Sequence, residues 1–151
     1  MRQNERTHVY KTILVTLDTT PTDRAIIDHV RELATKMGST VVLFHVATGV
    51  PAQFHGDNAG GEEVEEDKAY LERIRSELEA AGIPTRAELA FGQPVREIIK
   101  RARAGDCDLV AMSTHGHKGV ADLILGATAN QVRHSVSVPV LLLLGKHPHA
   151  A

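Results

Sequence analysis

Apolar residues fall along this chain in two rhythms. Val9 to Leu17 is rich in β-branched residues and almost continuously apolar from Ile13, the pattern of a strand buried on both faces of a parallel sheet. In Asp18-Thr19-Thr20-Pro21-Thr22-Asp23, Thr20 is placed to cap a helix, Pro21 to take its first position and Asp23 to sit in its first turn. Ile26, Val30, Leu33, Ala34 and Met37 then recur at helical steps, and Gly38 supplies a left-handed stop. Thr40 to Val46 repeats the buried-strand pattern, and Ala47 to Gly61, with five glycines and prolines, reads as a mobile loop.

Glu62 to Ala81 predicts a helix with Ala69, Leu71, Ile74 and Leu78 inward, a solvated acidic start (Glu62, Glu63, Glu65, Glu66, Asp67) and Gly82 at its end. Thr85 to Phe91 alternates as a strand. Gly92-Gln93-Pro94 turns into a helix carrying Val95, Ile98, Ile99 and Ala102 and ended by Gly105. Asp108 to Ser113 is a fourth strand, Ala127 to Val136 a last helix, and Val138 to Leu144 a fifth strand with Pro139 at its start. Alternating strands and helices imply right-handed crossovers. The expected fold is therefore one α/β domain, Rossmann-like, with a five-stranded parallel sheet and helices on both faces. Residues 1–8 are read as a polar leader, 9–145 as the domain and 146–151 as a flexible tail. In such sheets ligands bind beyond the carboxyl ends of strands where the winding reverses, which selects the loops after strands one and four.

Composition narrows the classes. The 151 residues are 42% apolar and carry 17 basic against 19 acidic side chains, a formal charge of −2, as expected of a single globular domain. Cys107 is the only cysteine, so no internal disulfide forms, which suits a reducing cytoplasm. The polar start lacks a secretory signal, and the apolar run Val138 to Leu144 is far below the roughly 20 residues of a membrane span. Neither membrane nor nucleic acid is an expected partner: five aromatics and no block of Lys and Arg make no basic track with stacking platforms. Nine histidines would move the formal charge to +7 if all were protonated, so association is expected to respond to pH near the imidazole range.

The candidate chemistry follows strand four. Gly116 and Gly119 permit tight turns, and Gly126-Ala127-Thr128 opens a helix whose free N–H groups receive an anion. This is the layout of a phosphate cradle. The order of elements, the Asp18 exit, Ser113-Thr114-His115-Gly116, and Leu125-Gly126 through Val132 to Val138-Pro139-Val140-Leu141 together resemble the universal stress protein family over nearly the whole chain. Its nucleotide-binding members carry Gly, two residues, Gly, nine residues, Gly, then Ser or Thr. This sequence has Ser113, Gly116, Gly126 and Ala127 at those places, so it departs at the first and last.

The resemblance implies an adenine nucleotide, ATP first, with Mg²⁺ an accompanying ion. It sets Thr16 and Asp18 near ribose and adenine, Val41 near adenine, Met112 and Ser113 on the ribose and phosphate side, and Gly116, His117, Gly126, Ala127 and Thr128 around the phosphates. Asp18 has two readings, an acceptor for ribose or adenine, or a turn carboxylate bonding its own backbone amides.

Other candidates have plainer readings. His115 and His117 are two ligands without a third, so no metal site is assigned. His45 reads as a satisfied strand histidine, His147 and His149 as tail residues, and Cys107 as a small apolar residue. No catalytic residue is assigned, because the chain has no nucleophile elbow and no Walker loop. The His117-Lys118 pair alone keeps a slow phosphohydrolase as an alternative, and Ser113 and Ala127 keep a nucleotide-free interaction protein as another. The fifth strand is too apolar for an exposed edge. The resemblance implies a homodimer through Val140, Leu142 and Leu144, acting in stress response with a further protein partner.

Overall fold

A computed structural model describes residues 9–48, 60–113 and 127–143. The strands are β1 (Thr12–Thr16), β2 (Thr40–Ala47), β3 (Thr85–Phe91), β4 (Leu109–Ser113) and β5 (Val140–Leu143); the helices are α1 (Asp23–Met37), α2 (Gly60–Ala80), α3 (Pro94–Ala102) and α4 (Ala127–Ser135). All strands run parallel in one sheet of order β3-β2-β1-β4-β5. This is the single-domain α/β fold expected from the alternation of elements.

Side-chain alternation along the strands divides the core into two layers. On one face Ile13, Val15, Val41, Leu43, Leu109 and Ala111 pack under Ile26, Ile27, Val30 and Ala34 of α1 and Leu71, Ile74 and Leu78 of α2. On the other, Leu14, Val42, Phe44, Val110 and Met112 meet Ile98 and Ala102 of α3 and Val132 of α4. Burial on both faces is why β1, β2 and β4 read as unbroken apolar runs.

The element boundaries shift for identifiable reasons. β1 begins at Thr12, not Val9, because the Lys11 and Thr12 amides donate to the Asp108 carboxylate at 2.8 and 3.0 Å. Asp108 is thereby committed as a bracket and stands outside β4. α1 begins at Asp23 and not at Pro21. The Asp23 and Arg24 amides donate to the carbonyls of Thr20 and Pro21 in a preceding turn, and Thr22, at the N-cap, makes no capping side-chain bond. At the other end Gly38 adopts φ 71°, and its amide reaches the Ala34 carbonyl at 2.8 Å, the left-handed stop expected of it. In α2 the inward row is Asp67, Leu71, Ile74 and Leu78, while Ala69 is exposed. Asp67 therefore leaves the solvated acidic start to which it was assigned. β5 shortens to four residues at the sheet edge.

Candidate functional site

The sheet winds outward in both directions from β1 and β4, which lie side by side at its centre. Their register, Ile13 to Leu109 through Val15 to Ala111, brings the carboxyl ends at Thr16 and Ser113 together. That is where an open parallel sheet forms a crevice.

The exit from β1 is held by a buried carboxylate. Asp23 is 1% exposed. Its Oδ1 accepts the Asp18 amide at 2.9 Å, and its Oδ2 accepts the Thr19 amide and the Tyr70 hydroxyl, each at 2.8 Å. Thr19 has φ 61°, a left-handed conformation that costs a side-chain-bearing residue about 1–2 kcal/mol. The bonds to Asp23 hold the turn in that shape. Burial raises the Asp23 carboxyl above its ordinary value, outweighing the hydrogen bonds that oppose it. Burial, with the Asp23 carboxylate beside it, holds the Tyr70 hydroxyl well above the usual tyrosine range, so this hydroxyl acts as the donor. The Arg73 guanidinium lies 5.2 Å from the Tyr70 ring centroid, a cation–π distance.

A second support comes from β2. His45 Nδ1 lies 2.7 Å from the Leu17 carbonyl, and Nε2 lies 3.4 Å from Asp67 Oδ2. A carbonyl only accepts, so Nδ1 carries the proton of that bond. His45 is thus the satisfied strand histidine expected, and Asp67 stands at its other nitrogen. The two acids that hold the β1 exit, directly through Asp23 and indirectly through Asp67, came from positions the sequence reading treated as helix-start decoration. The signal for Asp67 is spacing: 67, 71, 74 and 78 form one helical row.

The candidate residues divide as follows. Thr16 and Asp18 stand at the end of β1, and Met112 and Ser113 at the end of β4. Met112 is 3% exposed and packs in the core, so its contribution at that end is backbone and packing. Ala127 and Thr128 open α4, and Thr128 is half-buried. Val41 is not brought to this group. It is fully buried and pairs with Ile13 and Thr85 toward the amino end of β2, whereas Phe44 is the β2 residue beside Thr16. At the Asp18 and Thr19 amides, the turn-carboxylate role considered for Asp18 is filled by Asp23. Gly116, His117, Gly126 and Leu144 lie outside the described residues, as do His115, Lys118, Gly119, His147, His149, the leader, the tail and most of the loop before α2. Among the described residues no three His, Cys, Asp or Glu side chains gather to hold a metal ion, and no helix is long and apolar enough to cross a membrane.

A sequence profile of the Universal stress protein family matches residues 9–143. The chain is similar to a universal stress protein of Methanocaldococcus jannaschii, with 27% identity over 92% of this chain and 98% of that one. A solved structure of a protein bearing the same designation superposes with a TM-score of 0.82 at 28% identity, covering 92% and 99% of the two chains. A universal stress protein in complex with cAMP superposes at 0.72, with 19% identity and coverage of 91% and 99%. One from Archaeoglobus fulgidus in complex with dAMP superposes at 0.66, with 20% identity and coverage of 89% and 98%.

Proposed function

The chain belongs to the universal stress protein family, and from that premise we propose that it binds an adenine nucleotide, ATP foremost, between the loops leaving β1 and β4. The observation that carries this reading is the crevice itself: two central strand ends, Thr16 and Ser113, at the point where the sheet reverses its winding. Relatives of the same fold in complex with cAMP and dAMP support adenine as the base. Asp18 offers a carboxylate to ribose hydroxyls, and the amides at the start of α4, at Ala127 and Thr128, favour an anion. Gly116, His117 and Gly126 are assigned to the phosphates by the family resemblance, with Mg²⁺ arriving on the phosphates. Val41 has no place in the proposed site, since a fully buried residue at the amino end of β2 meets no ligand at the carboxyl end.

The activity proposed is binding that biases a protein interaction, in the cytoplasm and in response to stress, without catalytic turnover. Mass spectrometry of small molecules released from the denatured protein should find an adenine nucleotide. Saturating Mg-ATP should also raise the melting temperature. At a hundred times Kd the stabilisation is about 2.7 kcal/mol, or roughly 5–10 °C for a domain of this size. No released nucleotide together with a flat melting profile leaves the nucleotide-free interaction protein as the better reading. Phosphate release above the no-protein blank that Lys118→Ala abolishes would favour the phosphohydrolase.

We also propose a homodimer through β5. It lies at the sheet edge, Leu142 is 36% exposed and Val140 is half-buried; Leu144 continues the row in sequence. An apolar edge strand is stable in water when a second strand covers it. Leu142→Glu should yield a monomer in sedimentation velocity, with little loss of monomer stability. A dimer unchanged by the substitution would remove β5 from the interface.

A further inference from the structure

An open groove of about 610 Å³ runs between α3 and α4, on the sheet face opposite α1 and α2. Its apolar lining is Val95 and Ile99, both half-buried, and Gln131 of α4 stands on its far wall. Arg96, Lys100 and Arg103 line it as well. They are spaced by four and three residues, so one helical row spans about 10 Å at 1.5 Å per residue. Among the described residues no carboxylate lines the groove.

Most of the other described lysines and arginines are ion-paired; Lys11, Arg73 and Arg133 are not, and none of those three lines the groove. Arg24, Arg31, Lys36, Lys68, Arg75, Arg86 and Arg101 each have an acidic partner within 4.0 Å. Arg96, Lys100 and Arg103 form no ion pair among the described residues; Arg103 Nε instead donates to the Ser135 carbonyl at 2.9 Å. That bond ties the carboxyl end of α3 to that of α4 and fixes the groove walls. At the other end the Gln93 side chain accepts the Arg96 amide at 2.7 Å and caps α3. The row is thus presented by a capped and braced helix, with little ordering left to do on binding.

We propose that the α3–α4 groove is a docking site for an acidic amphipathic helix of a partner protein. Its carboxylates would meet Arg96, Lys100 and Arg103, and its apolar row would meet Val95 and Ile99. The match is geometric as well as electrostatic: acidic residues at i, i+4 and i+7 of a helix running parallel to α3 repeat the spacing of the three cations. Among the described residues the groove lining offers no aromatic ring on which a base would stack, and its apolar floor matches leucine-type side chains better than a phosphate backbone. This rests on the reading of the protein as an interaction module, and the groove shares no residue with the proposed nucleotide site.

The test uses the full chain and a fluorescein-labelled helical peptide with glutamates at i, i+4 and i+7 and leucines on the adjoining row. Anisotropy should show binding that weakens with added salt and falls about tenfold or more in Arg96→Glu/Lys100→Glu. A lysine-for-glutamate version of the peptide should bind the charge-reversed protein better than the native one. Arg96 and Lys100 are exposed, so the melting temperature should hold. If the variant does not fold, the salt dependence and competition by the unlabelled peptide on the native chain decide the matter. Absence of binding, binding indifferent to charge reversal, or preference of the groove for an oligonucleotide over the peptide would each overturn the proposal. Mg-ATP titration of the same variants should be unchanged, so failure here is distinguishable from failure of the nucleotide reading.

Discussion

Replacing Asp23 with alanine should cost about 3–5 kcal/mol of folding stability, because three donors lose their acceptor at once and an unsatisfied buried donor costs about 1–3 kcal/mol. The Asp18 and Thr19 amides and the Tyr70 hydroxyl all point at this one carboxylate. Thr19 also loses the bond that holds it at φ 61°. The β1 exit should relax, and nucleotide affinity should fall with it, although Asp23 itself acts as a positioning residue. Tyr70→Phe removes a single donor and should cost about 1 kcal/mol. Urea denaturation of the two variants gives both numbers, and an Asp23→Ala loss no larger than that of Tyr70→Phe would mean that water replaces the carboxylate.

The same residue carries a pH signature. Burial raises its carboxyl above the ordinary 3.8, so the folded state holds the proton more tightly than the unfolded state. Its contribution is fully present below about pH 3.8 and is lost as pH rises through the folded value. The stability advantage of the native chain over Asp23→Asn should therefore be largest in acid and shrink toward neutrality. Glu77 and Asp106 act in the opposite sense. Hydrogen bonds from the Arg24 and Arg101 guanidiniums hold their carboxyls below the usual range, so their contributions are present near neutrality and fade as pH falls. An advantage that instead grows with pH would show that the hydrogen bonds outweigh burial at Asp23.

Leu14→Ala should cost about 2–5 kcal/mol, the usual range for a leucine truncated in a well-packed core. Leu14 is fully buried on the central strand, in the layer with Val42, Val110, Met112 and Val132. Neighbouring strands on both sides keep the cavity from collapsing. At roughly 2–4 °C per kcal/mol for a domain of this size, the melting temperature should drop by about 10 °C in calorimetry. Val9, 60% exposed ahead of β1, is the control: Val9→Ala should stay within about 0.5 kcal/mol. Val41→Ala belongs with Leu14→Ala, destabilising while leaving nucleotide affinity unchanged. A fall in affinity at equal foldedness would return Val41 to the site.

Much of this molecule was decided by local patterning. Apolar runs of β-branched residues made β1, β2 and β4 legible, helical spacing gave α1 and α3, and Gly38 marked its stop, because each of those features depends on neighbours in sequence. The alternation of strand and helix then fixed a parallel sheet, and the crevice between the β1 and β4 loops followed from the handedness of crossovers. Tertiary structure alone decided what depends on partners far along the chain. Asp108 ends up bracketing β1 from 96 and 97 residues away, and Tyr70 meets Asp23 across 47. His45 finds Asp67 on a helix whose acidic start reads as solvent-facing until the row through Asp67, Leu71, Ile74 and Leu78 is followed inward. Val41 was matched to the site by family likeness, yet its depth along β2 is set by strand register, to which hydrophobicity is blind. The cations of α3 were visible as residues, but only the packing of α4 beside them turned a helical row into the wall of a groove.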